Sequence, residues 1–292
     1  RNIGVIGCGT MGAGIVQTAL QAGYLVTVNE ISRELLDKGL ERIRRSFDKM
    51  QEKGQLDDAK KDEMAKRLSS AATLNELDQC DIVIEAVIES LDVKTKLFAA
   101  LDTVCKKEAI FATNTSSLSV TQIAAATSRL QQFVGLHFFN PPTLMPLVEV
   151  IKTMTTDEAT LHETVEFVKS LKKVPIVAKD SAGFIVNRLL TPYLLDAIRA
   201  VGDGVGSVED IDAGMKLGCN HPMGPLMLAD FIGLDVLYNA ANILFEEYRE
   251  KRYAPPPVLK QLVIMGYMGT KTGMGFYDWS DPKRPKPERL AI

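Results

Sequence analysis

The chain has 292 residues, 46% apolar and 24% charged, enough to bury a normal core in one large or two ordinary domains. A formal net charge of −3 without a basic stripe argues against nucleic acid as the main partner, and no apolar run reaches the ~18–20 residues of a membrane span. Cys8, Cys80, Cys105 and Cys219 lack C-x-x-C spacing or histidine partners, so neither a disulfide framework nor a metal site is expected. Arg1 leads into an apolar segment without a signal-like stretch, and the expectation is a cytoplasmic protein that meets no membrane.

Ile3 to Ile6 reads as a strand running into Gly7-Cys8-Gly9-Thr10-Met11-Gly12, and Ala13 to Gln21 carries a helical pattern with Ile15, Val16, Ala19 and Leu20 on one face. Strand, G-x-G-x-x-G and helix in that order are what a dinucleotide site requires. Gly7 permits the tight turn, Gly9 lets the backbone approach a pyrophosphate, and Gly12 lets the helix pack closely while its first N–H groups, from Thr10 and Met11 onward, face the phosphates. Cys8 is most simply a small residue in this turn. A second strand, Tyr24 to Val28, ends at Glu30, where a carboxylate can accept hydrogen bonds from the adenosine ribose and repel a 2′-phosphate. NAD rather than NADP is therefore expected; the alternative for Glu30 is a cap on the next helix.

Ser32 to about Lys53 is a charged helical stretch, Gly54 stops it, and Asp57 to Leu68 is a second helix returning toward the sheet. The pair is longer than a crossover needs. It reads either as an inserted hairpin whose Arg42, Arg44, Arg45, Lys49 and Lys53 meet phosphates, or as a solvated helix face. The alternation then resumes with a buried strand Asp81 to Val87, a helix Val93 to Val104 and a strand Ala109 to Thr113. Ligand-binding residues collect at the carboxyl ends of such strands, which singles out Glu89 to Lys94 and Asn114 to Ser117; helix capping is the alternative for the serines. Strands Phe133 to Phe139, Leu147 to Ile151 and Val174 to Ala178, with a helix Asp157 to Leu171, complete the series. From Gly183 the periodicity is helical, with helices at Ser207 to Leu217, Leu226 to Ile232 and Leu234 to Tyr248, and Asp281 to Pro287 reads as an exposed polar tail.

Oxidising an alcohol requires removal of a hydroxyl proton while hydride leaves carbon, and histidine suits that two-way role. Of the three histidines, His162 lies among charged helical neighbours and His221 in a turn-rich loop. His137 ends a strand just before Pro141-Pro142, and Glu149 follows on the neighbouring strand. A carboxylate on Nδ1 fixes the tautomer and leaves Nε2 as base. A buried histidine satisfied by a structural carboxylate is the other reading of the same spacing.

The run of motifs G-C-G-T-M-G, N-T-S-S-L, G-L-H-F-F-N-P-P, L-V-E-V-I, G-F-I-V-N-R, M-K-L-G, H-P-M-G-P and K-T-G-M-G-F-Y covers essentially the whole chain in order. In this it closely resembles the L-3-hydroxyacyl-CoA dehydrogenases, and among them most nearly the bacterial 3-hydroxybutyryl-CoA dehydrogenases. The resemblance implies His137 as the catalytic acid/base oriented by Glu149, with Ser116 and Asn187 holding the substrate oxygens. On the cofactor side it implies Glu30, Glu89, Lys94, Asn114 and Lys271, and for coenzyme A it implies Ser46 and Lys53 on the hairpin. It further implies a short-chain 3-hydroxyacyl-CoA such as 3-hydroxybutyryl-CoA, or acetoacetyl-CoA in reverse, as substrate and a homodimer formed through the C-terminal domain.

The expected architecture is α/β: a Rossmann-like doubly wound sheet with an inserted helical hairpin over 1–182, then an all-α substrate and dimerisation domain over 183–292. Asp180 to Gly183 is the expected hinge. Ile185, Leu189, Leu190, Leu194 and Ile198 are more apolar positions than one helix can hide unaided. The alternatives are a relative acting on a free hydroxy acid or sugar acid, and an idle NAD-binding protein that the full set of site residues argues against.

Overall fold

The computed structural model describes residues 1–288; positions 289–292, the end of the expected helical domain, lie outside the described residues. The chain divides into two compact units, one spanning Arg1–Phe184 and a second beginning at Ile185.

The first unit opens with β1 (Asn2–Ile6), α1 (Thr10–Gln21) and β2 (Leu25–Asn29), followed by the helical pair α2 (Arg33–Glu52) and α3 (Asp58–Lys66). It continues through β3 (Leu68–Ala71), β4 (Ile82–Glu85), α4 (Leu91–Val104), β5 (Ile110–Thr113), α5 (Val120–Ala124), β6 (Phe133–Phe138), β7 (Leu147–Lys152), α6 (Glu158–Ser170) and β8 (Val174–Lys179). The strands form one sheet in the order β3-β2-β1-β4-β5-β6-β7-β8. Alternate strand residues enter opposite cores. Ile3, Val5, Ile82, Ile84, Val134, Leu136, Val148 and Val150 face α1, α2 and α6, whereas Ile6, Val83, Phe111, Phe133 and Ile151 pack with α4 and α5.

One element of the first unit differs from expectation. The second hairpin helix stops at Lys66 instead of Leu68, and Leu68–Ala71 becomes an edge strand parallel to β2. Leu-Ser-Ser-Ala has little strand propensity. It pairs because β2 offers an open edge, and side chains reinforce the pairing: Thr27 with Ser69 at 3.2 Å, and Asn29 donating to the Ala71 carbonyl at 3.1 Å. β7 runs antiparallel to β6. The connection over 139–146 is too short for the crossover that parallel strands require.

The second unit contains α7 (Val186–Gly202), α8 (Val208–Cys219), α9 (Pro225–Ile232), α10 (Leu234–Tyr248) and α11 (Pro257–Ile264). Lys286–Pro287, expected as free tail, is exposed but pairs antiparallel with Tyr277–Asp278 as β10 with β9, adding a small ribbon to the helical unit. The apolar surplus of α7 is partitioned. Leu194 and Ile198 are buried in the unit's core, Leu190 packs against it, and Ile185 and Leu189 stay exposed. No single helix among the described residues is long and apolar enough to cross a membrane.

Candidate active site

The site grows from the strand alternation. On the α4/α5 face the positions Val83, Phe111 and Phe133 are apolar at mid-sheet, but the same face turns polar toward the carboxyl ends of β4, β5 and β6, at Glu85, Thr113 and His137. Polar side chains at that depth need partners. Each has them.

At the end of β1, Gly7 takes φ +92°, and an added Cβ there would lie 2.5 Å from the Ala86 carbonyl oxygen. A Cβ on Gly12 would meet the Gly7 oxygen at 1.8 Å, so α1 docks directly on the turn. Gly9 is the reverse case: a Cβ there would meet nothing within 4 Å. It caps α1 without a side-chain hydrogen bond, Thr10 is exposed and Met11 half-buried. The glycine turn thus presents an open backbone face with the free N–H groups of a twelve-residue helix behind it, and these residues fit a dinucleotide pyrophosphate.

Cys8 lies between this turn and α2. Its thiol is pushed up to about 11, first by burial and then by Glu30, with Arg42 opposing, so it is an unreactive packing residue. Glu30 accepts from the Cys8 and Ile31 N–H groups, both at 2.8 Å. It does not cap α2; Ser32 does, accepting from Leu35 N–H at 3.3 Å. The capping alternative is thereby removed and the Glu30 carboxylate sits beside the glycine turn.

Sequence reasoning passed over Glu85, a fully buried carboxylate at the end of β4. It accepts from Lys94 Nζ at 2.6 Å, Thr113 Oγ1 at 2.6 Å and Val87 N–H at 2.7 Å. The signal was present: one acid inside an otherwise apolar parallel strand. Lys94 is itself enclosed, 1% exposed, and bridges to Glu89 at 3.3 Å. Glu89 in turn gathers the loop after β5, accepting from Thr115 Oγ1 at 2.6 Å and from Ser116 N–H at 2.9 Å. Ser116 Oγ lies 3.3 Å from the same oxygen, as Ser117 N–H does. Burial raises the Glu89 carboxyl, but Lys94 and the Thr115 and Ser116 hydrogen bonds outweigh it and hold the group below the usual range. Asn114 accepts from Phe138 N–H at 2.9 Å, tying the ends of β5 and β6 together. Ser119, not Ser117, caps α5.

His137 and Glu149 stand opposite each other in the β6·β7 register, and Nδ1 lies 2.7 Å from Oε2. Glu149 is fully buried, and the imidazole packs beside Phe139 and Phe184 with ring centroids 4.5 and 5.7 Å away. The other ring nitrogen, Nε2, takes no protein hydrogen bond among the described residues. His162 is exposed on α6, and His221 meets the Tyr193 hydroxyl at 2.9 Å.

On α2, Ser46 lines a groove of about 540 Å³ together with Lys38, Glu41, Arg42, Arg45 and Lys49. Lys53 is exposed at the C-cap of the same helix. In the second unit Asn187 occupies the first turn of α7, and Lys271 forms an ion pair with Asp235 at the start of α10. Asp180, in the expected hinge, caps α5 by accepting from Thr121 N–H at 2.7 Å and Ser119 Oγ at 3.0 Å, and is held within the first unit.

Residues 2–181 match the family model for 3-hydroxyacyl-CoA dehydrogenase, NAD binding domain, and residues 183–279 that for 3-hydroxyacyl-CoA dehydrogenase, C-terminal domain. A 3-hydroxybutyryl-CoA dehydrogenase of Bradyrhizobium diazoefficiens is 44% identical over 289 residues, covering 99% of this chain and 98% of that protein. One from Clostridioides difficile is 43% identical, covering 95% and 99%. The crystal structure of (S)-3-hydroxybutyryl-CoA dehydrogenase from Ralstonia eutropha superposes with a TM-score of 0.93 at 41% identity, covering 96% of this chain and 99% of that one. The chain belongs to the 3-hydroxyacyl-CoA dehydrogenase family, and its N-terminal unit is the family's NAD binding domain.

Proposed function

We propose that the protein reversibly oxidises a short-chain (S)-3-hydroxyacyl-CoA to the 3-ketoacyl-CoA, with acetoacetyl-CoA as the ketone substrate in the reductive direction. The observation that carries this is the His137–Glu149 pair at the carboxyl end of β6, on the same sheet edge as the glycine turn. NAD, when bound, supplies the two-electron hydride acceptor and donor. In oxidation the C3–H bond breaks as hydride leaves, the 3-hydroxyl proton passes to His137 Nε2, and the oxygen's electron pair closes the C=O bond. Reduction runs the same steps backwards.

Glu149 orients the ring through Nδ1 and stabilises the imidazolium that forms. Ser116 and Asn187 are assigned to the substrate oxygens, since a hydroxyl and an amide can each bond to the alcohol and the ketone. Glu30 is assigned to the adenosine ribose, the Asn114 amide to the nicotinamide side and Lys271 to the cofactor. Lys94 is assigned a supporting role, since its ammonium is committed to Glu85 and Glu89. The α2 groove and Lys53 are assigned to the coenzyme A phosphates. The exposed Ile185 and Leu189 support a homodimer through the second unit.

The test is the initial rate of NADH oxidation with acetoacetyl-CoA, beside free acetoacetate and with NADPH in place of NADH. Rapid turnover only with NADH and the thioester is the expected result. Equal turnover of the free acid would remove the coenzyme A assignment and favour the free hydroxy-acid alternative.

A further inference from the structure

Glu85, Lys94 and Glu89 form a polar cluster that is buried at Glu85 and Lys94 and opens to solvent at Glu89. Every group touching Glu85 is a donor: the Lys94 ammonium, the Val87 N–H and the Thr113 hydroxyl. The same holds for Glu89, which meets Lys94, Thr115, Ser116 and Ser117. Two carboxylates share a single ammonium, and no other cation bridges to either among the described residues. The cluster carries one net negative charge: Glu85 and Lys94 are enclosed and offset each other, and the excess charge sits toward Glu89, whose side chain is 36% exposed, so solvent screens it in part until a bound ligand covers it.

Its place along the sheet gives this charge a direction. Strands run β2-β1-β4-β5, with Glu30 following β2 and the glycine turn following β1. A dinucleotide with its adenosine at Glu30 and its pyrophosphate at the glycine turn extends its other half over β4 and β5. That is where Glu85 ends its strand and Glu89 gathers Thr115 to Ser117. The nicotinamide ring is cationic when oxidised and neutral when reduced.

We propose that the Glu85–Lys94–Glu89 cluster biases the cofactor site toward the oxidised cofactor, its net negative charge stabilising bound NAD more than bound NADH. The proposal rests on the NAD reading above. Glu85 is then a positioning and electrostatic residue acting through Lys94 and Glu89.

Glu85→Gln is a clean probe. The amide oxygen can keep the Lys94 and Val87 bonds that Oε1 makes, and the amide nitrogen can donate to the Thr113 hydroxyl, which accepts as readily as it donates. Dissociation constants for NAD and NADH are measured separately, by calorimetry and by fluorescence, on the wild type and on Glu85→Gln, with Glu89→Gln as a second variant should the first not fold. Loss of one negative charge is expected to weaken NAD by about three- to tenfold while NADH changes by less than about twofold. Equal weakening of both cofactors, or no change in either, overturns the proposal and leaves a structural cluster. A wild-type chain that binds neither cofactor overturns the NAD reading itself, an outcome visible before any variant is compared.

Discussion

Nδ1 of His137 lies 2.7 Å from Oε2 of Glu149 across one register pair of antiparallel strands, with the carboxylate fully buried. Because the two residues face each other across a ladder, the register of the strands fixes the separation of their backbones. Backbone hydrogen bonds on both strands hold it.

His137→Ala is expected to lower kcat by about 10²- to 10⁴-fold, the usual cost of a lost general base, with the NADH dissociation constant nearly unchanged. Glu149→Ala should lower kcat less. Steady-state kinetics with acetoacetyl-CoA check both, and full activity in Glu149→Ala would end its assignment as the orienting carboxylate.

Glu30 holds a negative charge beside the glycine turn through two 2.8 Å hydrogen bonds. A 2′-phosphate placed there meets like charge, which costs on the order of 1 kcal/mol or more at this half-buried site. Glu30→Gln should therefore narrow the preference for NADH over NADPH by about tenfold or more, read as the ratio of kcat/KM values. An unchanged ratio would move the ribose contact elsewhere.

Lys53 and the basic groove on α2 lie on the inserted hairpin, away from the His137 pair in sequence and on different elements. Lys53→Glu is expected to raise KM for acetoacetyl-CoA by about two- to tenfold, more at low salt, and to leave KM for NADH unchanged. A salt titration of KM separates a phosphate contact from a packing effect.

In the second unit, Asp230 is fully buried and accepts from Phe276 N–H, Tyr277 N–H and Trp279 Nε1, each at 2.9 Å. Burial pushes its carboxyl up to about 6, against the lowering effect of those donors and with a further rise from Asp212. An unfolded aspartate titrates near about 4, so between about pH 4 and 6 the folded state holds the extra proton. This contribution to stability is present at the acid end and is lost as pH rises through about 6, a change on the order of 2 kcal/mol. Asp230→Asn cannot titrate. Urea unfolding of both proteins should show their stability difference shrinking, in the wild type's disfavour, from pH 4.5 to 7; a pH-independent difference would count against the raised carboxyl.

The dinucleotide turn was legible from residues alone because it depends on local pattern. Strand, G-x-G-x-x-G and helix are contiguous, so steric needs at Gly7 and Gly12 appear directly in the sequence. For His137 and Glu149 the spacing allowed a catalytic pair and a structural histidine–carboxylate contact alike, and it is the register of β6 and β7 that sets them face to face. The edge strand Leu68–Ala71 was not legible: its residues have no intrinsic reason to extend, and only the open edge of β2 makes them do so. Nor was the enclosure of Lys94: the sequence placed it among the polar residues at the strand ends, and only the sheet puts Glu85 beneath it. Local stereochemistry decided the dinucleotide turn and the order of elements. Burial and long-range pairing, which no stretch of chain contains by itself, decided which carboxylates meet which cations.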